Sequence, residues 1–200
     1  MCIRDRIEID ITRGNLDPLP IAVSPLFQDD NSKRNSINEL KIENVGSEIS
    51  LVVENNLKIS GLFNPLSKEA FLQKPDIAHL KPRFEDWALI KAQALITGKV
   101  TIEDKKLKVE FRLWDILAGR EMMALAFTTV PSNWRRVGHI ISDKVYERLT
   151  GEKGYFDTRI IYVSEEGPKT ARVKKLAIMD QDGFNTCLLY TSDAADEAIG

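Results

Sequence analysis

The chain has 200 residues, enough for one ordinary domain and part of a second. Hydrophobic residues make up 43% and charged residues 29%, the balance of a globular protein with a real core. The net charge of −2 provides no basic field for nucleic acid, and no apolar run approaches the roughly 20 residues that a membrane span needs.

Both cysteines, Cys2 and Cys187, lie near the chain ends. The segment between them therefore offers no disulfide, thiol nucleophile or Cys-ligated zinc site. The terminal sequences MCIRDR (1–6) and CLLYTSDAADEAIG (187–200) resemble translated sequencing-adapter read-through. We expect both to be non-native tails, and we leave them out of the fold prediction.

The first predicted elements are two strands. IEIDIT (7–12) alternates apolar and polar residues with the period of a half-buried strand. PIAVSPL (20–26) is a short, almost entirely apolar run, as expected for a strand buried on both faces. The polar stretch QDDNSKRNS (28–36) predicts a loop.

Two helices are predicted next. In SEISLVVENNLKISG (47–61), Ser47 is the expected N-cap and Gly61 the expected C-terminal cap. Its apolar residues recur with helical spacing: Ile49, Val52, Val53 and Leu57. PRFEDWALIKA (82–92) predicts a second, shorter helix.

Three strands should follow as a meander, because 94–103, 106–116 and 120–130 are rich in β-branched and aromatic residues and are separated by turns. The middle strand alternates cleanly. One face should carry Leu107, Val109, Phe111 and Leu113, and the other Lys108, Glu110 and Arg112.

A last helix is predicted over 132–149, with Ser132 as its cap and Gly151 at its end. Its apolar stripe is formed by Trp134, Val137, Ile141, Val145 and Leu149. Two further strands, 158–167 and 172–183, surround a charged turn. The predicted fold class is α/β, a mixed sheet with flanking helices, followed by the opening of another domain.

The glycine pair in GEKG (151–154) matches the G-x-x-G clamp that some modules use to hold nucleic acid. Here the pair leads from a helix into a strand, and its only charges, Glu152 and Lys153, cancel. We therefore interpret it as a helix cap and a tight linker. No phosphate-binding glycine motif occurs, and we expect no nucleotide, nucleic acid or other cofactor.

Metal ligands are equally sparse in the sequence. Of the two histidines, His79 and His139, only His139 has a carboxylate at helical spacing, Asp143, and we interpret these two as a surface pair. DQDGFNT (180–186) begins like a calcium loop but lacks the closing glutamate, so it predicts a turn. No metal site and no catalytic residue is predicted.

Three motifs together resemble the TolB family of the Tol–Pal envelope system. SDKVYERLTGEKGYFDTRIIYV (142–163) is similar to the family's junction between an N-terminal domain and a β-propeller. LKISGLFNPL (57–66) matches its S-G-x-F-x-P-L motif, and DQDGFNT resembles the D-x-D-G-x-N turn that ends the first propeller repeat. The run from Trp87 to Val100 also fits the family pattern.

The resemblance implies an α/β TolB N-terminal domain over 7–153 and the start of a truncated β-propeller over 154–186. It implies a non-enzymatic interaction component in the periplasm, needed for outer-membrane constriction in cell division. A TolA-like inner-membrane protein would bind the N-terminal segment, which consists of Ile7, Glu8, Ile9, Asp10, Ile11 and Thr12. A Pal-like lipoprotein would bind the missing propeller, and no direct membrane insertion is expected.

The resemblance also gives the two glycines of GEKG a role. Gly151 would end the helix, and Gly154 would let Tyr155 and Phe156 turn inward at the seam between domain and propeller. The alternative is a ligand- or nucleotide-binding α/β domain of a truncated enzyme. D-x-D-G-x-N units recurring downstream at a spacing of roughly 40 residues would favour the propeller.

Overall fold

The computed structural model describes residues 17–169 and 172–192. The contacts between residues divide the described chain into two compact units at the peptide between Gly154 and Tyr155. The strand predicted over 7–12 lies outside the described residues. Within the described part, no helix has both the length and the apolar character that crossing a membrane requires.

The first unit contains helices and strands of one mixed sheet. Its elements are β1 (Leu19–Val23), β2 (Phe27–Gln28), α1 (Asp30–Leu40), α2 (Val45–Ile59), β3 (Phe63–Pro65), α3 (Pro75–Ala78), α4 (Phe84–Leu89), β4 (Ala94–Glu103), β5 (Lys106–Asp115), β6 (Arg120–Thr129) and α5 (Trp134–Thr150). Single 3-10 turns precede α3 and α5, at Lys68–Ala70 and Pro131–Asn133.

The sheet of the first unit has the strand order β3-β1-β4-β5-β6, and β2 also pairs with β4. The pairs formed by β1 and β2 are parallel, whereas β4, β5 and β6 form an antiparallel meander. Parallel strands need covered faces, and β1 is accordingly an apolar strand with Ile21 and Ala22 fully buried. The predicted mixed sheet with flanking helices is confirmed.

The core lies between this sheet and helices α2 and α5. The alternation predicted for β5 is confirmed, since its inward residues are at most 1% exposed and its outward charged residues are exposed: Leu107, Val109, Phe111 and Leu113 face in, and Lys108, Glu110 and Arg112 face out. The opposite sheet face has a smaller apolar cluster around Trp87, whose indole Nε1 donates to Gln73 Oε1 at 3.1 Å.

The loop predicted over 28–36 is wrong, because Asp30–Leu40 forms helix α1. Asp29 caps it, with Oδ1 accepting the Ser32 backbone N–H at 2.8 Å. The side of α1 that faces the sheet is polar: Ser32 Oγ accepts the N–H of Ile102 at 3.2 Å, and Asn35 Nδ2 donates to its carbonyl at 2.7 Å. These bonds satisfy β4 backbone groups beyond the end of β2, so the buried side of the helix is not apolar.

Two predicted N-caps are also wrong. Helix α2 is capped by Asn44, whose Oδ1 accepts the backbone N–H of Ser47 at 3.0 Å, so Ser47 lies inside the first turn. Helix α5 follows Asn133, and Ser132 lies within the preceding 3-10 turn. In both cases an asparagine close to the predicted serine occupies the N-cap position, although only Asn44 forms a side-chain capping bond.

The second unit is an antiparallel sheet in the order β7-β8-β9. Its strands are β7 (Arg159–Glu166), β8 (Val173–Asp180) and β9 (Cys187–Ser192). The first two confirm the predicted hairpin. Strand β9 was not predicted, because it lies in the segment that we expected to be a tail, and it pairs with β8 between Lys174 and Ile178.

The chain between β8 and β9 turns at DQDGFNT, as predicted. The Asp180 N–H donates to the Phe184 carbonyl at 2.8 Å, and the Gly183 N–H donates to the Asp180 carbonyl at 2.9 Å. Gly183 and Asn185 have positive φ angles of 86° and 52°, the conformation that these two residue types tolerate best. The motif is a turn.

Candidate functional site

The predicted partner segment lies outside the described residues. This applies to Ile7, Glu8, Ile9, Asp10, Ile11 and Thr12. The structure does describe where the following chain goes: Leu19 opens β1, is 7% exposed and pairs with Phe63 of β3. The segment is therefore connected through residues 13–18 to a buried strand that lies between two others.

The predicted junction begins where α5 ends. Gly151 is the C-cap, with φ of 80°, and its N–H donates to the Glu147 carbonyl at 3.0 Å. Thr150 supports the same turn, because its Oγ1 donates to the Tyr146 carbonyl at 2.8 Å and accepts the Glu152 N–H at 3.1 Å. A left-handed cap strongly favours glycine, so the expected role of Gly151 in ending the helix is confirmed.

Gly154 is required for a different reason. A Cβ at this position would lie 2.4 Å from the Cα and from Oδ1 of Asp143, and 2.6 Å from its Cβ. The chain therefore returns from the Gly151 cap to lie directly against α5. Only a residue without a side chain fits this approach.

Tyr155 and Phe156 are the first residues of the second unit. Their rings lie 4.5 Å apart between centroids and are tilted by 31°. Phe156 is fully buried, whereas Tyr155 is 40% exposed. The Tyr155 carbonyl accepts a hydrogen bond from Thr158 Oγ1 at 2.6 Å, which tightens the turn into β7.

The interpretation of His139 as half of a surface pair is wrong, because His139 is only 2% exposed. Its Nδ1 lies 2.9 Å from Asn56 Nδ2, and the same amide nitrogen donates to Ser142 Oγ at 3.0 Å. Ser142 Oγ in turn donates to the Gly138 carbonyl at 2.9 Å. The result is a buried polar link between α2 and α5, which the sequence could not show because Asn56 lies far away in the chain.

His79 lies elsewhere, at the end of α3. Its ring stacks on Phe27 with a centroid distance of 4.5 Å and an interplanar angle of 8°, and its Nδ1 lies 3.0 Å from the Pro75 carbonyl. These contacts fix the position of α3 beside β2.

One carboxylate of the first unit has a shifted pKa. The Ser32 backbone N–H, then the Ser32 hydroxyl and more weakly the Lys99 ammonium, hold the pKa of Asp29 below its usual value. Lys99 Nζ lies 3.7 Å from Asp29 Oδ2. The carboxylate thus ties the start of α1 to β4.

The geometry defines a mixed-sheet α/β domain whose last helix ends in a glycine-dependent turn and leads into an antiparallel sheet. A family model described as the TolB amino-terminal domain matches residues 7–122, more than half of the chain. The chain belongs to the TolB amino-terminal domain family. The resemblance read from the sequence is confirmed.

Two relatives extend this result. The chain is 81% identical over 179 residues to the Tol-Pal system protein TolB of Pelagibacter ubique (strain HTCC1062). The aligned region covers 90% of this chain and 40% of the relative. It is also similar to the crystal structure of TolB from Acinetobacter baumannii, with a TM-score of 0.71, 24% identity, and coverage of 88% of this chain and 39% of that one. The second likeness shows the fold alone, in which the strands after the α/β domain fit the start of a propeller. The chain spans about two fifths of both relatives.

Proposed function

We propose that the chain is the N-terminal part of a non-enzymatic, protein-interacting component of the Tol–Pal system that acts in the periplasm. The observation that carries this proposal is the 81% identity over 179 residues to a Tol-Pal system protein, together with the family match over 7–122. Its role would be outer-membrane constriction during cell division. Most of the propeller that would bind a Pal-like lipoprotein belongs to the part of the relative that this chain does not span.

The proposed contact with a TolA-like protein is the segment 7–12. Its isoleucines alternate with acidic residues and Thr12, so the segment can present one apolar face while its backbone adds a strand to a partner's sheet edge. Gly14 and Asn15 tolerate unusual backbone angles, and Pro18 precedes β1. These residues would act as a hinge between the segment and the fixed strand β1.

The proposed junction consists of Gly151, Gly154, Tyr155 and Phe156. The left-handed cap at Gly151 and the close approach of Gly154 to Asp143 support it, because together they leave the chain little freedom where it passes from one unit to the next. In this role the two glycines would end the first unit and the two aromatic residues would begin the second.

The partner contact is tested by calorimetry of the chain with the C-terminal domain of a TolA protein. Deletion of residues 1–16 should abolish binding and leave the fold intact, because the deletion stops short of Leu19 and the rest of β1. The double substitution Ile9→Asp and Ile11→Asp should weaken binding in the same way. Since Ile59 is 61% exposed on α2, Ile59→Asp is the matched control and should bind normally. Undiminished binding by the shortened chain would refute the assignment.

A further inference from the structure

We draw no further inference here: the strongest candidate, the outer edge of strand β6 with its exposed residues Ala124, Leu125 and Ala126 beside a cavity of about 420 Å³, carries nothing because no feature of the described part of the chain shows what covers it.

Discussion

The backbone of Gly154 lies against the backbone of Asp143, so close that a Cβ at residue 154 would be 2.4 Å from the Asp143 Cα. Because that Cα is part of α5, it cannot move without displacing the helix. Gly151 stands in contrast, since a Cβ there would meet no atom within 4 Å and its requirement for glycine comes from its φ of 80°. The two glycines of GEKG are therefore needed for different reasons.

Alanine substitutions should separate these reasons. Gly154→Ala should lower the free energy of unfolding of the first unit by about 2–3 kcal/mol, because the helix or the returning chain must shift. Gly151→Ala should cost only about 1 kcal/mol, the strain of a left-handed alanine. Urea unfolding followed by tryptophan fluorescence measures both, since all three tryptophans lie in the first unit. Equal costs would show that Gly154 does not lie against α5.

A second prediction concerns the buried link between α2 and α5. Asn56→Ala removes the amide that lies 2.9 Å from His139 Nδ1 and 3.0 Å from Ser142 Oγ, and it leaves both groups buried. The expected cost is about 2–3 kcal/mol, measured by urea unfolding. The neighbouring residue provides the control: Asn55 is exposed, and Asn55→Ala should change stability by less than about 0.5 kcal/mol. A comparable loss in both variants would contradict the link.

The sequence predicted the strands of the meander and helix α5 well, because their apolar residues follow the periods of two and 3.6 that burial on one face produces. It failed for α1, whose inward residues Ser32 and Ser36 are polar. Both serines bond to backbone groups outside the helix: Ser32 to the distant Ile102, and Ser36 to Ile42 just beyond the helix end. Asp29 is of a residue type that commonly caps helices, but the residues after it form no apolar stripe that would indicate a helix.

The residues of the candidate site were predictable only where the local backbone conformation determines which residue type is needed. A glycine after a helical stripe indicates a left-handed cap, so Gly151 was found from the sequence. The need for glycine at 154 depends on how the chain folds back onto Asp143, and the burial of His139 depends on Asn56. Contacts between residues distant in the chain leave no periodic signal.

The third prediction concerns pH. The pKa of Asp29 is lower in the folded chain than in the unfolded chain. Its ionised form therefore stabilises the fold at any pH above the ordinary aspartate pKa of about 4. This contribution is lost as the pH falls through the pKa of the folded state. Asp29→Asn should therefore be less stable than the unchanged chain at pH 7, and the difference should close toward pH 3. The gap should stay below about 1 kcal/mol, since the side chain is 39% exposed and solvent screens it. Urea midpoints across this pH range measure it, and a gap that widens in acid would contradict the assigned cause.

The fourth prediction follows from the proposed non-enzymatic role. Thermal unfolding of the chain should give the same Tm with EDTA, zinc, calcium, ATP or NAD as without them, because the sequence contains no phosphate-binding motif and only two separated histidines. A ligand that binds only the folded state stabilises it by RT ln(1 + [L]/Kd), where [L] is the free ligand concentration, and so raises Tm. An increase of several degrees with any one of these compounds at micromolar concentration would argue for an enzyme domain instead.

The last prediction is that the first unit folds alone and that the second does not fold properly without more of the propeller. Of the described side chains in the second unit, only Phe156 and Ala177 are buried. Large apolar side chains of β7 remain exposed, with Ile161 at 62% and Val163 at 59%. A small sheet without a covered face is only marginally stable in water, and a propeller blade depends on its neighbours to cover it.

Backbone amides of β7 and β8 should therefore exchange with deuterium at least about a hundredfold faster than those of β4 and β5. The same strands should become protected when the chain is extended with the downstream sequence of the Pelagibacter ubique relative. Exchange as slow as that of β4 and β5 in the unextended chain would mean that the hairpin is stable by itself, and the assignment to an unfinished propeller would be lost.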